Sequence, residues 1–252
     1  MSQALHFISS FRLAKRKERL QTVETAQENV ALPNLLGKLP REFSGKLLGE
    51  RTVTLAKGET LFERGDAGNG CYWLRQGVVT VCASSASGEQ RILAILGPGA
   101  LIGELAMIDG LPRSASVQAV RDCSLSFISR AAFLALLRRH PELHTDIMAT
   151  LAARLRQSDE DMIASSFLTV RARVARALLQ FARQLGEETD RGRVLIQHRV
   201  THSDLAAMAG VARESVSRTL GVWQGEKVLE GSPRDGYVVD KSRLEREAQA
   251  ME

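Results

Sequence analysis

Gly103-Glu104-Leu105-Ala106-Met107-Ile108-Asp109-Gly110-Leu111-Pro112-Arg113-Ser114-Ala115 is the densest chemical signal in this 252-residue chain. A glycine ahead of a short helical turn lets backbone N–H groups come close to a ligand, and a helix N-terminus favours an anion. Arg113 adds a planar fork suited to phosphate, and Ser114 a hydroxyl donor beside it. Glu104, when ionised, accepts a hydrogen bond such as that of a sugar hydroxyl. Each element alone is common in turns and solvated loops. Together they describe a cradle for a phosphorylated sugar.

On both sides of this stretch, residues 51–129 alternate glycines with short β-branched and aromatic runs at 52–55, 71–74, 78–81, 91–96, 116–120 and 124–128. Short strands at near-regular spacing predict a small sandwich or barrel. The period then changes. Phe133, Leu136 and Leu137 share one helical face, and Pro141 stands where a second helix would begin. Along that helix His144, Met148, Leu151, Leu155, Ser158, Met162 and Ser165 recur at alternating spacings of four and three, an a/d seam of about three heptads. The periodicity serves a helix packed on its own domain as well as a seam between two copies. The two serines are what a purely structural seam would avoid.

Arginine-rich, helix-forming sequence resumes at Thr169. Residues 169–220 hold nine arginines against five acids, a surplus of four that accounts for most of the chain's net charge of +5. Residues 202–220 follow a helix-turn-helix pattern, with Thr201 as N-cap, Asp204 completing a variant capping box, and Gly210 at the turn. Leu205, Ala206, Val211, Val216 and Leu220 are the inward positions. Arg213, Glu214, Ser217 and Arg218 then share one exposed face, and arginine can read guanine while glutamate accepts from cytosine. A helical hairpin with a solvated charged side has the same local pattern. Residues 228–239, with Asp235-Gly236 at the bend, predict a two-stranded wing.

The 103–115 stretch resembles the phosphate-binding cassette of cyclic-nucleotide-binding domains. Lys57-Gly58-Glu59-Thr60-Leu61-Phe62-Glu63-Arg64-Gly65-Asp66 and Tyr72-Trp73-Leu74-Arg75-Gln76-Gly77-Val78 are similar to that fold's early strands. Val211-Ala212-Arg213-Glu214-Ser215-Val216-Ser217-Arg218 looks like the recognition helix of the Crp/Fnr family of bacterial transcription regulators, extending the resemblance to the whole chain. It implies an α+β chain: an N-terminal extension (1–34), a cyclic-nucleotide-binding β-roll or jelly roll (35–140), a dimerisation helix (141–168) and a winged helix-turn-helix DNA-binding domain (169–252). It also implies ligand contacts at Gly103, Glu104, Leu105, Ala106, Arg113 and Ser114, and base contacts at Arg213, Glu214 and Arg218 on a TGTGA-like half-site. Alignment through Arg154-Leu155 puts Ser158 and Asp159 where cyclic-AMP-responsive members meet the purine. A carboxylate there accepts from the adenine amino group or from the N1–H and N2–H of guanine, which keeps both cyclic AMP and cyclic GMP open as effectors. Asp159 also belongs to an acidic run with Glu160 and Asp161, which a solvated helix face would carry equally.

Several classes are set aside at this level. The composition, 44% hydrophobic and 25% charged, is that of a globular protein, and residues 131–137, the longest apolar run, are far short of the ~20 needed to cross a bilayer. Near the N-terminus Phe7, Ile8 and Phe11 precede Lys15, Arg16, Lys17 and Arg19, the reverse of a secretory signal, so a cytoplasmic location is expected. Cys71, Cys82 and Cys123 form neither a disulfide framework nor a CxxC pair and read as core or edge residues. His198 and His202 straddle the Thr201 cap, and His140 and His144 straddle Pro141, so no metal is expected. No catalytic apparatus is visible, which excludes an enzyme such as a phosphodiesterase. A regulatory subunit for an enzyme or channel would lack a reason for the helix-turn-helix. The expected partners are double-stranded DNA, a second copy and RNA polymerase, with no membrane. A regulator with another ligand, such as cyclic di-GMP, or a constitutively active one is the alternative.

Overall fold

The structure is a computed structural model and describes residues 51–189 and 192–251. The expected extension at 1–34 lies outside the described residues, as does the first part of the 35–140 β-roll.

The glycine-punctuated half is a sandwich of two antiparallel four-stranded sheets. One has the order β1-β8-β3-β6, from β1 (Arg51–Leu55), β8 (Cys123–Ser129), β3 (Gly70–Gln76) and β6 (Leu101–Ile102). The other has the order β2-β7-β4-β5, from β2 (Thr60–Phe62), β7 (Ser116–Ala119), β4 (Val79–Ser84) and β5 (Gln90–Leu96). Leu74, Leu125, Val79 and Val117 meet between the sheets in one cluster. The period-two alternation of strand side chains puts them there. The turn α1 (Leu105–Ile108) leads from β6 into the loop before β7.

Helix α2 (Arg130–Arg139) buries Phe133, Leu136 and Leu137, the face its sequence predicts, and starts at Ser129, whose side chain accepts from Ala132 N–H. Pro141 precedes α3 (Glu142–Phe167). This long helix buries only Leu143, Thr150, Ala153 and Ala164, while Met148, Leu155 and Met162 stay exposed. Among the described residues Met148, Leu155 and Met162 of the a/d seam are therefore not packed against the rest of the chain.

Helix α4 (Val170–Leu185), capped by Thr169, is buried on nearly every turn and organises the C-terminal half. It is followed by β9 (Gly186–Glu188), β10 (Arg193–Ile196), α5 (His202–Ala209), α6 (Arg213–Gly225), β11 (Leu229–Ser232), β12 (Gly236–Asp240) and α7 (Lys241–Glu247). The expected two-stranded wing is a four-stranded antiparallel sheet, β11-β12-β10-β9. The hairpin forms at the expected place, with Ser232 opposite Gly236, and β10 adds along the free side of β12, pairing Val194 with Val239 and Ile196 with Tyr237. Burying Val194 and Ile196 beside α4 drives that addition.

The halves share a core. Val78, Cys82, Ile92 and Ile95 of the sandwich pack in one cluster with Leu178 and Leu205 of α4 and α5.

Candidate functional site

Arg113 is the centre of the cassette. It is only 4% exposed, an extreme position for an arginine. Its loop is pinned to the β2–β3 connection, because Arg113 N–H donates to Asp66 O (2.9 Å) and Gly65 N–H donates to Arg113 O (2.9 Å). The guanidinium donates to Gly103 O (2.8 Å) and Gly70 O (2.6 Å) and lies over the Phe62 ring, 4.3 Å from its centroid. Its Nε is buried without a hydrogen-bond partner. Buried polar groups are normally satisfied, so this donor calls for an acceptor. Gly103, at φ +79°, is required here twice: its backbone is left-handed, and a Cβ would collide with Arg113 Nη1.

Glu104 is buried at 3% exposure and receives Arg154 Nη1 on Oε1. Arg154 comes from α3 and also donates to Leu101 O (2.8 Å), so the long helix is fastened to the cassette. Ala106 is buried under the cassette, and Leu105 and Ser114 are exposed. The structure thus brings Gly103, Glu104 and Arg113 together, with Ala106 beneath them. Ser158 sits one turn beyond Arg154 and donates to its carbonyl (3.0 Å), and Asp159 follows it, exposed. Neither serine nor aspartate bonds to the cassette.

The helix-turn-helix half is built as its sequence predicts. Thr201 and Asp204 form a reciprocal capping box, α5 ends at left-handed Gly210, and Val216, Leu220 and Trp223 bury one face of α6. Arg213, Glu214, Ser217 and Arg218 are all exposed on the other. Arg218 has only a long contact to Ser215 Oγ (3.4 Å).

Cys71, Cys82 and Cys123 are buried on β3, β4 and β8. Burial, reinforced by the Glu104 charge, pushes the Cys71 thiol up to about 12, and burial raises the other two as well. His198 lies in the loop ahead of α5, where burial lowers its pKa, and His202 is the first residue of the helix. Among the described residues no cluster of three or more His, Cys, Asp or Glu side chains could hold a metal ion. Nor is any helix among them long and apolar enough to cross a membrane.

Sequence reasoning missed Arg154 as a site residue, along with the Phe62 ring and the Gly70 carbonyl. No local signal marks Arg154, since its partner is fifty positions away.

A β-sandwich with a buried arginine beside a left-handed glycine, followed by a long helix and a helix-turn-helix with an exposed charged face, is the architecture of a DNA-binding regulator with a ligand-binding domain. The comparisons agree. Residues 52–140 match the model of the cyclic nucleotide-binding domain, and residues 172–247 that of the Crp-like helix-turn-helix domain. A cyclic AMP receptor protein of Thermus thermophilus is 40% identical over 214 residues, covering 84% of this chain and 95% of that one. A CRP-like cAMP-activated global transcriptional regulator of Mycobacterium tuberculosis is 28% identical over 196 residues, covering 78% and 87%. The crystal structure of a CRP-family transcriptional regulator of Thermus thermophilus superposes with a TM-score of 0.66 at 28% identity, covering 79% of this chain and 98% of that one. The chain belongs to the Crp/Fnr family of transcription regulators, a family of DNA-binding proteins and not of enzymes.

Proposed function

We propose that the protein is a homodimeric cytoplasmic transcription regulator, divided at residues 35–140, 141–168 and 169–252, whose β-roll binds cyclic AMP and, within about tenfold (~1.4 kcal/mol), cyclic GMP. The observation that carries this reading is the buried Arg113 with its unpaired Nε, set beside Gly103. A guanidinium has five N–H donors, and two carbonyls occupy only part of the fork, so the remaining edge suits a cyclic phosphate. Ser114 supplies a hydroxyl to the same phosphate. Leu105 and Ala106 supply backbone beside it. Glu104, held by Arg154, keeps a second oxygen for the ribose hydroxyl. That the Thermus relative is named a cyclic AMP receptor protein supports this choice of effector.

The exposed stripe of Met148, Leu155 and Met162 on α3 supports a seam with a second copy, which would bring Ser158 and Asp159 towards the purine. The nucleotide then acts by population shift. It binds better to the arrangement in which two α6 helices stand roughly 34 Å apart, one DNA turn, and so favours that arrangement. Arg213, Glu214 and Arg218, with Ser217 beside them, read a TGTGA-like half-site, and RNA polymerase is the downstream partner. The test is calorimetric titration of the purified protein with cyclic AMP, cyclic GMP and cyclic di-GMP. Binding of the first two in one class of site is the expected result. Absence of both, with or without cyclic di-GMP binding, would overturn the assignment.

A further inference from the structure

Arg171 lies in the first turn of α4, and its guanidinium grips carboxylates from two other helices of the C-terminal half. Nε and Nη2 donate to the two oxygens of Glu247 at the end of α7, and Nη2 also donates to Glu226 Oε2 at 2.7 Å. The fork lies over the Trp223 ring, 5.7 Å from its centroid, and Trp223 is fully buried on the inner face of α6. Glu226 is the C-cap of α6. Its carboxylate is thus held by α4, while its carbonyl, one of the acceptors a helix end leaves open, is held by Arg243 Nη1 of α7 at 2.8 Å.

The opposite end of α6 is held more loosely. Its N-cap is Ala212, whose methyl group cannot cap, and Arg213, Glu214, Ser217 and Arg218 all stand in solvent. Val216, Leu220 and Trp223 fix which face of α6 is buried, but apolar contact is non-directional and sets tilt weakly. A helix of 13 residues is about 20 Å long, so a tilt of about 5° pivoting on the C-terminal end carries Arg213 roughly 1.7 Å. A bidentate bond to a base edge does not survive such a shift. Half-exposed ion pairs add little to global stability, so position is what this network can govern.

We propose that Arg171 is a positioning residue for sequence reading: by fixing Glu226 it sets the tilt of α6, and with it the place where Arg213 and Glu214 meet the base edges. The inference rests on α6 being the helix that reads DNA. It requires no particular half-site and is independent of what the cassette holds. Its signature is a loss of discrimination between sequences, with stability and general affinity for DNA largely kept.

The test starts from a duplex selected by the unsubstituted full-length protein out of a randomised pool, with and without cyclic AMP. Binding of that duplex and of a scrambled one is then measured at fixed ionic strength for R171Q and E226A. The first substitution removes a positive charge and the second a negative one, so a plain electrostatic effect on DNA affinity would push the two in opposite directions. Both are expected instead to lose at least about fivefold in preference for the selected duplex, the weight of one base contact, while the circular-dichroism melting temperature stays within about 3 °C. If R171Q does not fold, E226A decides. An intact preference in a folded variant, or an equal fall in affinity for both duplexes, overturns the proposal. R213A separates the two readings: a preference that it leaves intact refutes α6 as the reader and the proposal with it, whereas one that it abolishes and R171Q and E226A keep refutes the role of Arg171 alone.

Discussion

The cassette and the recognition helix both depend on arginine, yet they hold it in opposite ways. Arg113 is buried, gripped by the carbonyls of Gly70 on β3 and of Gly103 just after β6 and covered by an aromatic ring, and its near neighbour Glu104 is fastened to α3. Arg213 and Arg218 stand in solvent on the outside of α6 and take no part in holding the domain together. A buried charge is costly unless its partners are in place, so the fold must supply them before any ligand arrives. An exposed charge needs no such support and is free to meet a phosphate or a base edge. The cassette's chemistry is thus inseparable from its architecture, whereas the exposed face of α6 can change without disturbing the scaffold beneath it.

Substitutions can break or sharpen this contrast. The largest effect is expected from Leu205→Ala, which empties a fully buried position under the helix-turn-helix and should cost ~2–5 kcal/mol of stability in urea unfolding. Arg113→Leu comes next. It should cost at least ~2 kcal/mol of nucleotide affinity by calorimetry, about thirtyfold, because the phosphate loses a charge-assisted partner. Arg213→Ala should weaken binding to a TGTGA-type operator by ~1–3 kcal/mol and relax the choice of base at one position, while the melting temperature stays within about 1 °C. A large fall in melting temperature with Arg213→Ala would show that the reading face is structural after all, and the contrast would fail. Thr201→Ala removes the reciprocal cap of α5 and should cost ~1 kcal/mol. The smallest effect is that of Asp159→Ser, expected to weaken cyclic GMP a few-fold more than cyclic AMP in a competition titration. Equal changes for both would remove Asp159 from base reading.

The same contrast explains which parts were legible in the sequence. The helix-turn-helix was legible as a fold element because what shapes it is local: Thr201 and Asp204 at the cap, Gly210 at the turn, and a charged face at helical spacing. The cassette was legible only along its contiguous part. Arg154 and the Gly70 carbonyl reach it from distant segments, and a pairing across fifty residues leaves no periodic trace. Strands β2 and β6 have three and two residues, too short for alternation to register. Strand β9 contains Glu187 and Glu188 and is recruited by tertiary pairing against β-propensity, which is how the wing came to have four strands. The seam on α3 was visible as a pattern, and among the described residues Met148 and Leu155 find no packing partner that would bury them.

The cluster that joins Val78, Cys82, Ile92 and Ile95 to Leu178 and Leu205 makes the molecule a thermometer of sorts. Any rearrangement that draws α5 away from β5 exposes apolar side chains to water and raises the heat capacity. Apolar burial weakens on cooling, so the docked arrangement loses ground to the undocked one as temperature falls, whatever is bound elsewhere. A contact made of apolar burial thus carries a temperature dependence of its own.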